Sequence, residues 1–111
     1  MKTLIKEHHF GTSFLSIYCG WGNGYVLIPK GHPAWGKHYD DIDVDVHEGL
    51  TFAQDVTPKL MEHFSGLSDE DMGMWCVGFD TAHYGDNIEN WPKRMVEAET
   101  EYLKNQLMNY E

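Results

Sequence analysis

The sequence predicts an α+β domain: a small, mainly antiparallel sheet with a C-terminal helix packed on one of its faces. Two observations predict this class. Short β-favouring runs separated by glycine and proline occupy the front of the chain, whereas residues 91–109 contain no glycine and carry apolar residues near helical spacing. The chain has 111 residues, the size of one domain, so residues 1–111 are treated as a single folding unit.

The first predicted elements form a hairpin. Residues 14–19 and 25–28 are rich in strand formers, and Gly22-Asn23-Gly24 between them tolerates the positive φ angles of a tight turn. Two prolines then interrupt any regular ladder, so residues 29–37 are predicted to form a shaped loop.

The most regular pattern lies in residues 41–47, where acidic and apolar side chains alternate. Period two is that of a strand, so we predict a β-strand with one apolar and one acidic face. The apolar face carries Ile42, Val44 and Val46, and the other face carries Asp41, Asp43, Asp45 and His47. Carboxylates on one strand face repel one another, so this face is either solvated or receives a cation or a protonated partner.

In the middle of the chain, the sequence predicts a short strand at residues 50–52. Residues 53–73 are predicted to be a surface excursion, an insertion that leaves the sheet and lies on the surface of the domain. Within the excursion, Thr57 and Pro58 are typical of a helix start, and Gly66 marks the end of that helix.

A buried strand is predicted at residues 74–79, followed by a polar loop at residues 80–86. Asn90 is the predicted cap of the C-terminal helix, which spans residues 91–109. The apolar stripe of this helix covers either the sheet or a partner chain.

Composition excludes several classes of protein. With 18 acidic and 8 basic residues the formal net charge is −10, which opposes unspecific binding to nucleic acid or to an anionic membrane surface. A hydrophobic fraction of 41% argues against disorder. No apolar signal core or membrane span is visible in the sequence. Cys19 and Cys76 each lie in an apolar stretch, which is typical of buried thiols in a reducing compartment. We therefore expect a cytoplasmic protein.

One group of residues has the chemistry of a metal site. Imidazole and carboxylate ligands together suit divalent zinc, manganese or iron, and such an ion could polarise a phosphate or activate water. The candidates are His47, Asp80, His83 and Asp86. Two other interpretations stay open: His83 acts as a base oriented by Asp80 or Asp86 without metal, or these side chains only bond the backbone.

A second group indicates ligand binding. Cationic and imidazole groups gather around Trp35 in an otherwise acidic chain, and aromatic rings there could stack on a base or another ring. The predicted ligand-binding residues are Lys30, His32, Trp35, Lys37, Tyr39, His47, Asp80, His83 and Asp86.

Three blocks of the sequence resemble a family of small proteins encoded mainly by phages and prophages. The blocks are GYVLIPKGHPAWGKHYDDIDVDVHEGLTF, WCVGFDTAHYGDN and WPKRMVEAETEYLKNQL. The resemblance implies no particular activity. Members of that family often carry glycine at the position that Glu48 occupies here.

Three functions are therefore considered. The first, which we favour at this stage over an enzyme, is a binding protein that captures a small nucleotide-like ligand between the loops 29–39 and 80–86. A phage origin would make this ligand a host defence signal and place the protein in the host cytoplasm. The second is a metal-assisted hydrolase that uses the four candidate ligands. The third is an acidic DNA mimic that inhibits a host protein. A homo-oligomer is expected because one helix covers only one face of a sheet.

Overall fold

The computed structural model describes residues 1–8 and 19–111 of the chain. Its four-stranded sheet has the order β1-β2-β4-β3, and every neighbouring pair is antiparallel. The strands are β1 (Thr3–Glu7), β2 (Gly22–Ile28), β3 (Phe52–Asp55) and β4 (Trp75–Phe79), and the helices are α1 (Pro58–Met61) and α2 (Lys93–Met108). Helix α2 packs on β1 and β2. The predicted fold class is therefore confirmed.

The sheet face under α2 carries the larger core. Alternation along the two central strands places Val26, Ile28, Val77 and Phe79 on this face. Val96, Leu103 and Leu107 of α2 pack against them and are fully buried. Residues 29–51 complete this layer with the buried side chains of Ala34, Ile42, Val46 and Leu50.

The opposite sheet face is covered as well. Tyr25, Leu27 and Cys76 point to this side, and residues from α1 and its flanking segments pack on them. The packing residues are Val56, Leu60, Phe64 and Leu67. The predicted excursion at residues 53–73 therefore includes most of β3 and supplies a layer of the core, while its charged turn at residues 68–70 is exposed.

The predicted hairpin turn at Gly22-Asn23-Gly24 is wrong. These residues begin β2 and pair with Glu7, Lys6 and Ile5 of β1, a strand that the sequence pattern did not reveal. Glycine serves close packing here, because a Cβ on Gly24 would collide with Thr100 of α2 and with the Phe79 ring. The predicted strand at residues 14–19 lies outside the described residues, apart from Cys19, which sits in a bend.

The strand predicted at residues 41–47 is also wrong, although its two faces are correct. Its start belongs to a 3₁₀ turn, Tyr39–Asp41, and the rest forms an irregular segment that pairs with no strand in the described part of the chain. Ile42 and Val46 are buried, whereas Asp43 and Asp45 are exposed. Every second backbone N–H group of this segment donates a hydrogen bond to a side chain of α2 or of Tyr110, which follows α2. These side chains take the place of a neighbouring strand. The pairs are Asp43 with the Tyr110 hydroxyl, Asp45 with Gln106 Oε1 and His47 with Glu99 Oε2.

Of the two predicted helix starts, the first is confirmed and the second is wrong. The Thr57 side chain accepts the Leu60 N–H and Pro58 is the first residue of α1, as predicted, but α1 ends at Met61, well before Gly66. Asn90 does not cap α2, because the helix begins later and its N-cap position is Pro92. Within the described part of the chain, no helix has the length and apolar character needed to cross a membrane.

Candidate functional site

The loop that follows β4 is organised by its own carboxylates. Asp80 Oδ1 accepts the Ala82 N–H at 3.0 Å, and Asp86 Oδ2 accepts the His83 N–H at 2.8 Å. Aspartate favours such local turns because its short side chain reaches backbone N–H groups two or three residues away. Gly85 adopts a φ of +90°, which lets the loop turn back toward Asp86. The loop is therefore shaped so that His83 and Asp86 face the same side.

Thr81 anchors this loop to the sheet. Its side chain is fully buried, and its hydroxyl donates to the Gly22 carbonyl of β2 at 2.7 Å. Gly20 donates its backbone N–H to the Thr81 carbonyl, also at 2.7 Å. Sequence reasoning did not identify this residue, because a threonine between an aspartate and an alanine carries no distinctive pattern.

His47 reaches the same place from the end of the extended segment 42–47. Glu99 of α2 accepts its backbone N–H at 2.8 Å, and the Trp91 ring lies against the imidazole with 4.2 Å between ring centroids. Trp91 and Glu99 thus hold His47 from two directions. Both positioning residues lie at or near the N-terminal half of α2, far from His47 in sequence, which is why the sequence did not reveal them.

The four predicted metal ligands meet at this point. His47 Nε2 lies 2.8 Å from Asp86 Oδ1. His83 Nδ1 lies 3.2 Å from Asp80 Oδ1 and 3.5 Å from Asp86 Oδ2. The Asp86 carboxylate is buried, and the two imidazole rings are partly buried and stand edge to face, with centroids 5.7 Å apart.

One atom of this cluster lacks a hydrogen bond. His83 Nδ1 is buried, yet neither nearby carboxylate oxygen has hydrogen-bond geometry toward it. A buried polar atom without a partner costs about 1–3 kcal/mol, so native structures rarely keep one without a reason.

Three of the residues have the arrangement of a metal centre. One ligand atom from each of His47, His83 and Asp86 lies within 4.8 Å of the others. Two ligands held about 2.1 Å from one ion are roughly 2.9–3.4 Å apart, close to the observed separation of the His47 and Asp86 atoms. Asp80 lies beside this triad as a second carboxylate.

Cys19 lies near the same cluster. Burial raises the pKa of its thiol, and the negative charges of Asp86 and Asp80 raise it further. The thiol therefore stays protonated near neutral pH, which makes it a poor metal ligand compared with the two imidazoles.

The basic loop does not contribute to this cluster. His32 bonds the Leu107 carbonyl through Nε2 at 2.7 Å and accepts the Ala34 N–H through Nδ1. The Lys30 ammonium lies over the Trp35 ring, and the Lys37 ammonium lies over the Tyr110 ring. Tyr39 stacks on the neighbouring His38 and packs against the core. Of these residues, His32 and Lys37 tie the loop to the C-terminal end of α2 and to Tyr110, which follows it.

Among the described residues, the loops 29–39 and 80–86, which were predicted to share a ligand site, lie at opposite ends of β4. Trp35 donates its indole N–H to the Gly73 carbonyl, and Trp75 donates its own to the Lys37 carbonyl, so the basic loop lies at the start of β4. Asp80 directly follows the other end of this strand, about 16 Å from Trp75 at the usual rise of a strand. The two halves of the predicted ligand site are therefore separated by the length of β4.

Comparisons with known proteins give no match: no family model, no curated protein and no solved structure matches the chain. The resemblance to phage proteins stays a prediction, and the function has to be argued from the geometry of the site.

Proposed function

We propose that this protein binds one divalent transition-metal ion through His47, His83 and Asp86 and hydrolyses a phosphate ester there. The observation that carries the proposal is the buried His83 Nδ1, which has no hydrogen bond to any described residue and lies beside two carboxylates and a second imidazole. An ion at this position would satisfy His83 Nδ1 and neutralise the clustered carboxylates. Two imidazoles with one carboxylate suit zinc, manganese or iron.

The surrounding residues support this assignment. Ligands of a metal are usually oriented by a second layer of contacts, and here Asp86 also accepts the His83 N–H while Glu99 holds the backbone of His47. Trp91 shields one face of the His47 ring from water. The ligand set is therefore held before any ion arrives, which lowers the cost of binding.

The proposed chemistry divides between the ion and the chain. A bound ion supplies a Lewis acid and lowers the pKa of a water molecule. Asp80 is partly exposed beside His83 and is the residue best placed to accept a proton from an attacking water. Tyr84, between His83 and Gly85, is fully exposed, so its ring can stack on a substrate that carries a planar group.

Metal binding is tested first. The protein is stripped with EDTA and titrated with Zn²⁺ and Mn²⁺ in a calorimeter, and we expect about one equivalent to bind. His83→Ala should weaken binding by about tenfold or more, because a ligand is lost. His38→Ala is the matched control, since it removes an exposed imidazole far from the cluster and should bind like the wild type. Equal affinity in all three proteins would refute the metal site.

Hydrolysis is tested with bis(4-nitrophenyl) phosphate as the probe. We expect turnover by the metal-loaded protein and none by His83→Ala or by the EDTA-treated protein. Asp80→Asn should still bind the metal but lose most of its turnover, because the proton acceptor is lost while the three ligands remain. Metal binding without turnover in the wild type would refute the hydrolase.

Capture of a nucleotide-like ligand is the second candidate function, and the full exposure of Tyr84 beside the metal ligands favours it. In this case the phosphate would bind at the ion and the base would stack on Tyr84, without cleavage. If the resemblance to phage proteins holds, such capture would sequester a host signal. Native mass spectrometry of the freshly purified protein distinguishes the two candidates, because a captured nucleotide adds mass and a turned-over substrate does not.

A further inference from the structure

A cavity of about 480 Å³ opens on the face of the sheet that α2 does not cover. It is lined by residues of β1, β2 and β3 on one side and by the segment 57–64 on the other. The volume is within the usual range of small-molecule sites. None of the residues of the proposed metal site lines it.

The floor of this cavity is aromatic. Tyr25 and Phe52 meet edge to face with 5.5 Å between centroids, and Phe64 stands against Tyr25 at 4.8 Å. The two strand residues flank Gly78, which pairs with Tyr25 on β2 and with Phe52 on β3. A Cβ on Gly78 would strike the Tyr25 ring, so the missing side chain is what lets the two rings meet over β4.

The charge at the rim is opposite to that of the whole protein. The net charge is −10, yet no aspartate or glutamate lines this cavity, whereas Lys6, Lys59 and His63 do. Gln54 of β3 lines it, and alternation turns the neighbouring Asp55 to the opposite face. Among the described residues, neither lysine has a carboxylate within ion-pair distance.

The Lys6 side chain reaches from β1 to the segment 57–64. Its ammonium donates to the His63 carbonyl at 2.8 Å and lies 4.9 Å from the centre of the Phe64 ring. A second cavity, of about 470 Å³, continues along β1 on the other side of this lysine. Glu7 and Glu62 line that second cavity, but among the described residues neither carboxylate lies within ion-pair distance of Lys6, so the ammonium can still attract an anion that enters the first cavity.

From these observations we infer that the cavity binds a small aromatic anion: a planar ring bearing a carboxylate or a phosphate. The ring lies against Tyr25, Phe52 and Phe64, and the anionic group faces Lys6 and Lys59. Stacking alone would accept any apolar ring, and the lysines alone would accept any anion, so the site selects molecules that carry both features. This inference is independent of the proposed metal site.

The test uses phenyl phosphate and benzoate as probes, with phenol and inorganic phosphate as the ring-only and charge-only controls. Two-dimensional NMR of the EDTA-treated protein reports binding without any contribution from metal. We expect both aromatic anions to shift the resonances of Tyr25, Phe52 and Phe64, and each control compound to bind about tenfold more weakly or not at all. Shifts confined to other residues, or no saturable shift with either aromatic anion, would overturn the inference.

Variants distinguish specific binding in the cavity from general attraction of an anion to any lysine. Lys59→Gln removes an exposed charge without disturbing the core, and it should weaken phenyl phosphate binding about three- to tenfold. Lys104→Gln is the matched control, because it removes the same charge from α2, which packs on the opposite face, and it should have no effect. Phe52→Leu should weaken both aromatic anions while leaving inorganic phosphate unchanged. Equal weakening by the two lysine variants would contradict the site.

His83→Ala distinguishes this cavity from the proposed function. If the aromatic anions bind this variant as they bind the wild type, they occupy the cavity whether or not the metal site exists. If their binding is lost with His83, the anion sits at the metal cluster instead, and the cavity proposal fails while the metal proposal stands.

Discussion

The side-chain amide of Gln106 on α2 bonds both backbone polar groups of Asp45. Its Nε2 donates to the Asp45 carbonyl, and its Oε1 accepts the Asp45 N–H, each at 2.7 Å. Residues that face each other in an antiparallel ladder exchange the same pair of bonds. A single glutamine therefore replaces a strand residue, and it holds the extended segment that leads to His47.

Replacing Gln106 with alanine should destabilise the fold by about 1–2 kcal/mol, because two hydrogen bonds are lost at a position where water can partly replace them. The free energy of unfolding is measured in urea. Asn105→Ala is the control, since its side chain is exposed on the same helix, and it should change the stability little. A similar loss in both variants would show that the amide of Gln106 contributes nothing specific.

Glycine at position 48 should stabilise the protein. Glu48 adopts a φ of +58°, the left-handed region that costs a residue with a Cβ about 1–2 kcal/mol. Since glycine also gains entropy in the unfolded chain, Glu48→Gly should raise the melting temperature by only about 2–5 °C. Glu48→Ala keeps the Cβ and should give no such increase. An equal rise in both variants would assign the effect to the lost charge.

Asp71 should make stability depend on pH on the acid side. Burial raises the pKa of its carboxyl, but the Lys2 ammonium at 2.7 Å and the hydrogen bonds from Ser68 lower it more, so the net shift is downward from 3.8. A folded-state pKa below the unfolded one contributes stability that is present above the unfolded pKa and is lost as pH falls through the folded pKa.

Asp71→Asn should therefore cost about 1–3 kcal/mol at neutral pH and progressively less as the pH falls below about 4. Urea unfolding at a series of pH values measures this difference. Asp71 ends the short 3₁₀ turn Asp69–Asp71, and Asp69→Asn, at an exposed position of that turn, should leave the curve of stability against pH nearly unchanged. A constant deficit of Asp71→Asn at every pH would contradict the argument.

Cys76 should be inert to thiol reagents while the protein is folded. Burial in the β4 core raises the pKa of its thiol to about 12, so almost no thiolate forms near neutral pH, and the reagent has no access. Cys19→Ser leaves only this thiol. We expect the variant to react with Ellman's reagent at the rate of unfolding, and fast labelling would show that the β4 face opens locally.

Elements whose pattern is local were predictable from the sequence. The buried strand β4 and the helix α2 each show their pattern within one continuous stretch of sequence. Thr57 and Pro58 are also neighbours in sequence, and they indicated the start of α1. The candidate ligands Asp80, His83 and Asp86 share one loop, so their proximity also followed from sequence. That His47 joins them depends on Glu99 and Trp91, which no local pattern connects to it.

The failures share a physical cause. The glycine at position 24 suggested a turn, but it allows close packing against Thr100. The alternating pattern around Asp45 suggested a strand, but its backbone bonds a side chain of α2 instead of a neighbouring strand. In both cases the partner lies far along the chain. The cover of the second face of the sheet was missed for the same reason, because the residues that form it follow β3 and show no long helical pattern.

The central ladder of the sheet has a consequence for how the chain folds. It pairs Gly24, in the first quarter of the sequence, with Phe79, in the last third. Loop-closure entropy must be overcome before this pairing yields any stability, and topologies of this kind fold in milliseconds to seconds. Residues of β4 contribute to both apolar faces of the sheet: Val77 and Phe79 pack on the α2 side, and Cys76 packs on the other side. Folding is therefore expected to be concerted, and truncation before β4 should yield an aggregating chain, since neither half of the sheet can fold alone.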